Sequence, residues 1–599
     1  MNFPVTERIA ALQAEMQKRN ISIYIVPTSD FHDSEYVGEY FKARKFLTGF
    51  SGSAGTAVIT AAEAGLWTDG RYFIQAEKQL EGSGITLYRM GEENVPTIEE
   101  FIKEKLPQNG CIGFDGRVIS AKKGEKYQTI AEEKNGFLYV KEDLTDIIWR
   151  DRPQMSKKPF FVLEEKYSGC STADKLAKIR TECEKENANW HILSSLYDIA
   201  WILNVRGGDI AYVPVVLSYL AIGKEECIWF VQEEIITEEQ REYLEVNHIS
   251  TRPYEEIYEF VENIDTNSTI LMYKGGVNYR IVNSLPQTVR IVDKQNPSEL
   301  MKAVKNPTEV ENTIKAHIKD GVAFTKFMYW LKKNIGKIEM TEISASDYLE
   351  ERRKEQEHFL DLSFDTISAY GANGAMMHYS ATAKSNAVLK PEGFLLVDSG
   401  GHYLEGTTDI TRTMALGTLS DEMRKHFTAV CRANLNLAAA KFLYGCRGVN
   451  LDILAREPLW ELGIDYKCGT GHGVGHILNV HEGPNSFRWK ITDETSVGGI
   501  LEEGMITTDE PGVYLEGAYG IRIENELVCR KAEKNTDGQF MCFEAITYAP
   551  IDLDAINPKE MNARERRLLN EYHKKVYETL SPYMTEEENI WLKEYTREI

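Results

Sequence analysis

Four acidic residues in the last third of the chain are candidates for shared chemistry: Asp398, Asp409, Glu510 and Glu524. Taken singly, an acid at the end of a strand is most often a turn residue or a helix cap. Three of these four, however, follow or lie in segments rich in Ile, Val and Leu, so we expect them to be partly buried. Carboxylates that converge in a partly buried site need compensating positive charge, and two divalent cations would balance four of them.

A glycine-rich stretch between these acids supplies histidines. It reads CGTGHGVGHILNVHEGP (468–484) and carries three histidines and five glycines. His472 stands between glycines, where the backbone can approach a metal closely, and is the best ligand candidate. His481 fits a supporting or substrate-facing position, and His476 is expected at the surface or behind the ligands. Oxygen ligands with one imidazole suit Mn, Co, Fe or Zn. Two such ions about 3.5–4 Å apart can hold one hydroxide and polarise a carbonyl group.

Strands are predicted to carry the acids to this site. The predicted strands are FLLVDSGG (394–401), TTDITRTMAL (407–416), GMITTDEPGVYL (504–515) and GIRIENELV (520–528). The last segment alternates with period two, which is typical of a strand with two different faces. One face holds Ile521, Ile523, Asn525 and Leu527, and the other holds Arg522, Glu524 and Glu526.

Helices are predicted to surround these strands. Long helical patterns at 308–355 and 421–463 alternate with them, and the tail at 562–595 is amphipathic. Such a tail is suited to cover the domain itself or a partner subunit.

The first half of the chain repeats one order of elements. A helical pattern leads to the buried strand ISIYIV (21–26), whose polar tail reaches Asp30. A second helix (172–187) leads to the strand WHILSS (190–195), which is followed by Tyr197-Asp198. The recurrence indicates two related α/β domains.

Charged, proline-bearing segments mark the predicted domain boundaries. They lie at 151–159 and near 294–309, and such composition is typical of linkers. The predicted fold class is α/β (α+β), with domains at 1–157 and 158–304, and a catalytic domain with a helical tail at 305–599.

Composition bounds the class of protein. The 599 residues are 42% hydrophobic and 27% charged, a length that suggests about three to five domains. The formal net charge of -23 would repel phosphate backbones and anionic membranes, so neither is an expected partner. The longest apolar runs are too short to span a bilayer, and the N-terminal segment lacks the features of a signal peptide. Nine scattered cysteines without a CxxC pair are typical of a reducing compartment, so we expect a cytoplasmic protein.

Taken jointly, the motifs VDSG, TTDITR, GTGHGVG, VHEGP, DEPGVY and GIRIEN resemble the metallopeptidases of the pita-bread fold. This family includes methionine aminopeptidase, prolidase and aminopeptidase P. The similarity is strongest to the long, three-domain aminopeptidases P, or Xaa-Pro aminopeptidases, and it covers nearly the whole chain. FLTGFSGSAGTAVIT and LWTDGRYFIQA resemble their first domain, YDIAWILNVRGGDIAYVPVVLSY their second, and PIDLDAINP and WLKEYTREI their tail. The resemblance implies two creatinase-like α/β domains before a pita-bread catalytic domain, and a homodimer.

The resemblance also implies a set of metal ligands: Asp398, Asp409, His472, Glu510 and Glu524. In the family, Asp409 chelates one metal, Asp398 and Glu524 bridge or share the pair, and His472 and Glu510 complete the first site. The implied cofactor is two divalent ions, with Mn2+ expected first and Co2+, Fe2+ or Zn2+ as alternatives.

Further positions match residues that contact substrate. His378, in NGAMMHYS, and His481 match histidines close to the scissile bond. Arg71, in WTDGRYF, matches a substrate-binding residue of the first domain, and Tyr514 and Arg522 match residues that line the site.

One position departs from the family pattern. Many members read HGTGHG where this chain reads CGTGHG, so Cys468 stands where a third pocket histidine often lies. The ligand set is unchanged, and the departure bears on proton transfer and on packing against the second residue of the substrate. A thiol is smaller than an imidazole and titrates near about 8.5 unless it is perturbed.

The activity implied is removal of the N-terminal residue from peptides whose second residue is proline. A hydroxide held between two metals would attack the carbonyl before the proline nitrogen. Glu510 would act as general base, and His378 and His481 would hold the scissile amide and stabilise the oxyanion. The free N-terminal amine would be bound by a metal and by Asp398 or Asp409. The bond before proline lacks an N–H and the ring fixes φ, so a pocket shaped for that ring can be selective.

Other functions fit the sequence less well. Prolidase shares the ligands but cleaves Xaa-Pro dipeptides, and it usually lacks the second N-terminal domain. Creatinase needs no metal, and a non-catalytic peptide-binding module on this fold would have lost ligands or pocket histidines. A serine hydrolase is disfavoured because GFSGSAG (49–55) does not provide the GxSxG elbow.

Overall fold

The computed structural model describes residues 3–491 and 498–599. Within these ranges, no helix is long and apolar enough to cross a membrane. The chain divides into two compact units. The first comprises Met1–Leu163 and Cys170–Ser298, and the second comprises Glu164–Gly169 and Glu299–Ile599.

Two six-stranded sheets form the framework of the first unit. Its strands are β1 (Ile23–Pro27), β2 (Thr56–Thr60), β3 (Ala64–Thr68), β4 (Ile85–Arg89), β5 (Cys111–Gly113), β6 (Phe137–Tyr139), β7 (Phe160–Val162), β8 (Trp190–Leu193), β9 (Val205–Gly207), β10 (Ser218–Gly223), β11 (Cys227–Val231), β12 (Ser250–Pro253), β13 (Thr269–Met272) and β14 (Arg290–Asp293). The sheets have the orders β4-β3-β2-β1-β5-β6 and β12-β11-β10-β8-β13-β14.

The two sheets share one topology. Read in these orders, the neighbouring pairs in both run parallel, antiparallel, antiparallel, parallel and parallel. This agreement supports the duplication that the sequence indicated. Both sheets lie in one compact unit, however, so the domain boundary at residue 157 stays a prediction.

Helices alternate with these strands along the chain. From the N-terminus, the helices up to residue 303 are α1 (Val5–Lys18), α2 (Ala43–Thr48), α3 (Phe73–Leu80), α4 (Ile98–Lys105), α5 (Ala121–Glu133), α6 (Leu144–Ile148), α7 (Glu165–Ser168), α8 (Thr172–Lys185), α9 (Leu196–Leu203), α10 (Glu238–Val246), α11 (Glu256–Glu262), α12 (Tyr279–Ser284) and α13 (Pro297–Ala303). Of these, α7 belongs to the second unit, and α13 begins in the first unit and ends in the second. Capping boxes start two of the helices, because Thr97 pairs with Glu100 at α4 and Thr237 pairs with Gln240 at α10.

Several smaller sheets meet in the second unit. Its strands are β15 (Phe359–Leu362), β16 (Ile367–Tyr370), β17 (Phe394–Ser399), β18 (Gly401–Tyr403), β19 (Gly406–Thr407), β20 (Ile410–Ala415), β21 (Lys441–Leu443), β22 (Gly471–Gly473), β23 (Glu482–Phe487), β24 (Ile506–Asp509), β25 (Gly512–Leu515), β26 (Tyr519–Arg522), β27 (Asn525–Asn535) and β28 (Gly538–Ala545). The sheet orders are β15-β18-β19, β16-β17-β20, β25-β26 and β21-β28-β27-β24-β22-β23.

Helices enclose these sheets: α14 (Pro307–Asn334), α15 (Glu342–Lys354), α16 (Asp421–Ala438), α17 (Gly448–Leu451), α18 (Ile453–Trp460), α19 (Ala563–Leu580) and α20 (Glu586–Tyr595). Asn306 begins α14 with a capping box to Glu309, and Pro307 occupies the first helical position. Phe327 of α14 and Val397 of β17 belong to one buried apolar cluster. The longest helix thus packs behind a strand that carries a predicted ligand.

The tail covers its own unit. Helix α19 buries Leu569, Val576 and Leu580, and it contacts α14 and α16. Of the two roles expected for this amphipathic segment, covering the domain is the one observed.

One prediction about a segment was wrong. GIRIENELV does not form one continuous strand with a polar face, because it breaks between β26 and β27 and its residues are buried on both sides. Within the segment 294–309 the chain passes from the first unit to the second, at Ser298 and Glu299, and the domain boundary at residue 304 stays a prediction. This segment contains helix α13, and Lys302 and Lys305 are buried because both pair with the buried Glu482.

Candidate metal centre

The antiparallel strands β17 and β20 bring three acids together. Asp398 lies on β17 opposite Thr411 of β20, and Asp409 immediately precedes β20. Glu524 lies between β26 and β27, and its backbone N–H donates to the carbonyl oxygen of Thr411 over 3.1 Å. The three carboxylates therefore meet around the start of β20.

His472 and Glu510 come from the neighbouring six-stranded sheet. His472 lies on β22, and Glu510 directly follows β24. The backbone N–H of Glu510 donates to the carbonyl oxygen of Thr470 over 2.8 Å. A Cβ atom at Gly471 would lie 1.8 Å from the carbonyl oxygen of Thr508, so this close approach of the two strands requires glycine.

The imidazole of His472 faces the carboxylates. Its Nε2 atom lies 3.5 Å from Asp409 Oδ2 and 3.5 Å from Glu510 Oε1. One ligand atom from each of Asp409, His472 and Glu524 lies within 4.8 Å of the others. This spacing is compatible with a metal ion bound between the side chains, since metal–oxygen and metal–nitrogen bonds are about 2.0–2.2 Å long.

A hydrogen bond fixes the orientation of this ring. His472 Nδ1 lies 2.9 Å from the carbonyl oxygen of Gly473. A carbonyl oxygen can accept but not donate, so Nδ1 carries a proton and Nε2 is the ring nitrogen that faces the acids. A metal-binding histidine is typically oriented in this way, by a hydrogen bond from its other ring nitrogen.

The acids repel one another. Burial raises the pKa of Asp409 well above its ordinary value, and the carboxylates of Asp398 and Glu510 raise it further. Burial also raises the pKa of Glu524, with Asp409 as the next cause. Among the residues that the structure describes, Asp398 Oδ1 and Asp409 Oδ1 are buried oxygens without a hydrogen-bond partner. Unpartnered oxygens and repelling carboxylates fit a site for divalent ions, whose charge stabilises the ionised acids.

Hydroxyl groups orient two of the carboxylates. Thr411 Oγ1 donates to Glu524 Oε2 over 2.7 Å, and Thr508 Oγ1 donates to Glu510 Oε1 over 3.3 Å. Such partners behind the predicted ligands fix the direction in which each carboxylate faces.

Arg522 links Asp398 to Tyr514. The guanidinium forms a buried ion pair with Asp398, donates to Tyr514 Oη over 2.7 Å and donates to Thr411 Oγ1 over 3.2 Å. Burial raises the pKa of the Tyr514 hydroxyl, which remains a neutral acceptor for this bond. Arg522, predicted to line the substrate site, thus also contacts a predicted metal ligand.

Cys468 is half-buried in the same unit. Its carbonyl oxygen accepts from the buried guanidinium of Arg456 over 2.7 Å. Burial raises the pKa of the Cys468 thiol to about 12, with the charge of Glu510 as the next cause. Cys468, which stands where many family members have a histidine, is therefore a neutral thiol.

His481 lies beside the predicted ligand His472. The two rings meet at 90° with their centroids 4.3 Å apart. The side-chain amide of Asn479 donates to the carbonyl oxygen of His481 over 2.8 Å and fixes the backbone at this point. The role of His481 at the substrate stays a prediction.

His378 is half-buried and follows the 3-10 turn Gly371–Ala375. That turn packs tightly on β26, because a Cβ atom at Gly520 would lie 1.7 Å from the carbonyl oxygen of Gly374. The segment before His378 is therefore held against the strand that ends in Arg522. Its substrate role stays a prediction.

Arg71 and His476 were also singled out in the sequence. Arg71 belongs to the first unit, where its Nε atom lies 2.8 Å from Asp69 Oδ1. Its part in substrate binding stays a prediction. His476 is not at the surface. It is buried, its Nδ1 atom lies 3.2 Å from Thr313 Oγ1, and its Nε2 atom lies 3.1 Å from the carbonyl oxygen of Tyr167.

Sequence reasoning missed a buried acid at the centre. Glu526 is fully buried, and its Oε1 atom accepts from the backbone N–H of Asp409 over 2.7 Å. Its Oε2 atom lies 3.0 Å from His317 Nε2. The alternating pattern that grouped Glu526 with Glu524 was the available signal.

A buried ionic cluster next to His481 was also missed. Glu482 pairs with Lys302 over 3.1 Å and with Lys305, and all three side chains are buried. These residues lie about 180 positions apart in sequence, and no local pattern joins them.

Comparisons with known proteins agree with this architecture. Residues 311–531 match metallopeptidase family M24, and residues 539–599 match the C-terminal region of peptidase M24. Residues 8–151 and 151–309 each match the creatinase/prolidase N-terminal domain.

Relatives resemble the chain over its full length. It is 36% identical to a probable Xaa-Pro aminopeptidase P of Paracoccidioides brasiliensis and 36% identical to aminopeptidase P1 of Lotus japonicus, with 99% of each chain covered in both cases. A crystal structure of an X-prolyl aminopeptidase from Caenorhabditis elegans, described as a cytosolic enzyme with a dinuclear active site, matches with a TM-score of 0.95, 32% identity and complete coverage of both chains. A Xaa-Pro dipeptidase from Bacillus anthracis shares the fold over 64% of this chain and 99% of its own, with a TM-score of 0.52 and 22% identity.

The fold and the site define a metallopeptidase, with creatinase-type N-terminal regions before a pita-bread domain. Within that class, the chain belongs to the Xaa-Pro aminopeptidases P of family M24. The family and the fold class predicted from the sequence are confirmed.

Proposed function

We propose that the protein removes the N-terminal residue from peptides whose second residue is proline, as a metalloaminopeptidase. The observation that carries this proposal is the position of His472 Nε2, which lies 3.5 Å from Asp409 Oδ2 and 3.5 Å from Glu510 Oε1. It occurs in a chain that matches, over its whole length, a relative with a dinuclear active site.

The proposed metal site uses the side chains that converge on β20 and β22. When bound, two divalent ions would act as Lewis acids and lower the pKa of a bound water towards neutrality. Mn2+ is the proposed ion, and the oxygen-rich ligand set with one imidazole supports Mn2+, Co2+, Fe2+ or Zn2+. The proposed ligands are Asp398, Asp409, His472, Glu510 and Glu524.

Glu510 is the proposed general base. Its carboxylate lies beside His472 and accepts from Thr508, so it is held in one orientation. It would accept a proton from the attacking water and pass it to the proline nitrogen that leaves. An amide nitrogen leaves as an amine, so the proline nitrogen must receive a proton from the protein or from water when the bond breaks.

Two histidines are proposed to hold the scissile amide. His481, packed against His472, and His378 would donate hydrogen bonds to the carbonyl oxygen as negative charge develops on it. One well-placed donor contributes about 3 kcal/mol to the transition state. The N-terminal amine is proposed to bind Asp398 or Asp409, so a blocked N-terminus should prevent cleavage.

Three further residues are proposed to bind substrate. Tyr514 and Arg522 would line the pocket, and the hydrogen bond between them supports a shared role. Arg71 is retained because its motif WTDGRYF resembles the substrate-binding motif of the family.

The proposed location is the cytoplasm, and the proposed assembly is a homodimer. Among the described residues, no cysteine forms a disulfide bond, which supports a reducing compartment. The relative from Caenorhabditis elegans is described as cytosolic. Light scattering that returned the mass of one chain would contradict the dimer.

Metal titration tests the proposal. Chelator-treated protein is expected to lose hydrolysis of Ala-Pro-Ala and to regain it as two equivalents of Mn2+ bind. His472→Ala is expected to reduce Mn2+ binding and turnover together. Full activity in the presence of excess chelator, or full turnover by Glu510→Ala, would contradict the assignment.

A further inference from the structure

Glu526 is a buried acid that none of the roles above uses. Its Oε1 atom accepts from the backbone N–H of Asp409 over 2.7 Å, and its Oε2 atom lies 3.0 Å from Nε2 of the buried His317 on α14. Its own backbone N–H donates to Thr547 Oγ1 over 2.8 Å. The carboxylate is therefore fixed behind a proposed ligand, and it contacts that ligand through the backbone.

Charge balance gives this contact a role. Four proposed ligands are carboxylates, whose charge would balance two divalent ions. Arg522, however, is buried and paired with Asp398, one of those carboxylates. With the histidines and the attacking water counted as neutral, the ions and Arg522 together leave one positive charge that the ligands do not offset. Glu526 contacts the ligand set from the opposite end, at Asp409, and supplies the missing negative charge.

We propose that Glu526 is a positioning residue that sets the charge of the metal site. Its carboxylate offsets the guanidinium of Arg522 and so strengthens the binding of two divalent ions, while its hydrogen bond holds the backbone at Asp409. This inference rests on the proposed two-metal function. Partners behind a metal site typically change metal affinity about 10–100-fold when they are replaced.

The same carboxylate should have the opposite effect in the metal-free protein. There it adds a further acid to a buried cluster whose members already repel one another. Glu526→Gln removes the charge and retains an oxygen that can accept from Asp409. We therefore expect this variant to bind metal more weakly and to be more stable without metal. A purely structural role would lower the stability of both forms.

The test measures Mn2+ binding and stability separately. Isothermal titration calorimetry on chelator-treated protein gives the Mn2+ affinity, and thermal unfolding with and without Mn2+ gives the stability. Glu526→Gln is expected to weaken Mn2+ binding about tenfold, at the lower end of this range, and to raise the unfolding temperature of the metal-free protein. Glu526→Asp keeps the charge and is expected to retain more affinity than Glu526→Gln.

A buried glutamate outside the site provides the control. Glu565 accepts from the backbone N–H of Asn562 over 2.9 Å and pairs with Arg432 over 3.0 Å. Glu565→Gln is expected to lower the unfolding temperature equally with and without Mn2+ and to leave the Mn2+ affinity unchanged.

Each outcome decides the inference. Unchanged Mn2+ affinity in Glu526→Gln, or a less stable or unfolded metal-free protein, would overturn the role of Glu526 and leave the two-metal site intact. A lower affinity in Glu526→Asp than in Glu526→Gln would assign the effect to the hydrogen bond and also overturn it. Wild-type protein that bound no Mn2+ would overturn both this inference and the proposed function.

Discussion

Asp398 and Arg522 form a buried ion pair, and a second nitrogen of the same guanidinium donates to the hydroxyl of Tyr514 over 2.7 Å. Asp398 lies on β17 and Arg522 ends β26, so the pair joins two sheets at the proposed metal site. A guanidinium that binds a carboxylate fixes its orientation as well as its charge. Arg522 thus couples a proposed ligand to the proposed substrate pocket.

Arg522→Lys is expected to lower kcat/KM for Ala-Pro-Ala about 10–100-fold, because lysine keeps the charge but loses the forked donor that holds Asp398. Tyr514→Phe removes the accepting hydroxyl and leaves the ion pair, so its effect should be smaller. Steady-state kinetics at saturating Mn2+ check both variants. Wild-type kcat/KM in Arg522→Lys would show that the pair does not orient Asp398.

Glu482→Gln is expected to destabilise the second unit by about 3–5 kcal/mol, because it removes the carboxylate that pairs with the buried ammonium groups of Lys302 and Lys305. Urea unfolding monitored by tryptophan fluorescence measures the change. The triple replacement of these residues by methionine, which removes all three charges, should restore most of the loss. Equal stability of wild type and Glu482→Gln would contradict a structural role for the cluster.

Cys468→Ala is expected to leave the pH profile of kcat/KM unchanged between about pH 6 and 9. Burial raises the pKa of this thiol to about 12, so it keeps its proton throughout that range and its charge appears only above it. Cys468→His should add an acidic limb near about pH 6.5, where an imidazole titrates. An alkaline limb that disappears in Cys468→Ala would show that the thiol does ionise in the working range.

His573 should make folding sensitive to acid. It is buried in α19, and its Nε2 atom accepts from the backbone N–H of Ile551 over 3.0 Å. Burial, and next the charge of Arg412, lower its pKa to about 3. Below its unfolded pKa of about 6.5 the unfolded chain gains a proton that the folded protein excludes. The stability due to the neutral ring is therefore complete above pH 6.5 and falls by about 1.4 kcal/mol per pH unit as the pH decreases towards 3.

The matched variant for this effect is His573→Gln, whose amide oxygen can accept from Ile551 but does not titrate. The difference in unfolding free energy between wild type and variant should shrink steadily from pH 6.5 to pH 4.5, at the slope of about 1.4 kcal/mol per pH unit given above. Urea unfolding in the presence of chelator measures the contribution of His573 without a contribution from metal binding. A difference that stays constant over this range would contradict the depressed pKa.

The sequence predicted the elements that carry local signals. Strand patterns located Asp398 and Asp409. The glycines around His472 were expected to let the backbone approach a metal, and the structure shows that Gly471 lets β22 approach β24 closely at Thr508. The family could be predicted because motifs such as VDSG, GTGHGVG and GIRIEN occur together in one chain. The helical pattern predicted from residue 308 agrees with the start of α14 at Pro307.

Features that depend on tertiary contacts could not be predicted. Lys302 and Lys305 appear as linker charges in the sequence, and their burial depends on Glu482, far along the chain. Glu526 appears as one face of a strand, and its role depends on the backbone of Asp409. Burial of charge requires a partner supplied by another element, and single-sequence periodicity does not show which element that is.

The central claim is cleavage before a penultimate proline, and a mass-spectrometric digest of four peptides by the Mn2+-loaded protein tests it most directly. The peptides are Ala-Pro-Ala, Ala-Pro, N-acetyl-Ala-Pro-Ala and Ala-Ala-Ala, each with and without chelator. We expect chelator-sensitive release of alanine from Ala-Pro-Ala, and no cleavage of the acetylated peptide or of Ala-Ala-Ala. Cleavage of Ala-Pro alone would identify a prolidase, and no cleavage of any peptide by protein with two bound Mn2+ ions would contradict the account.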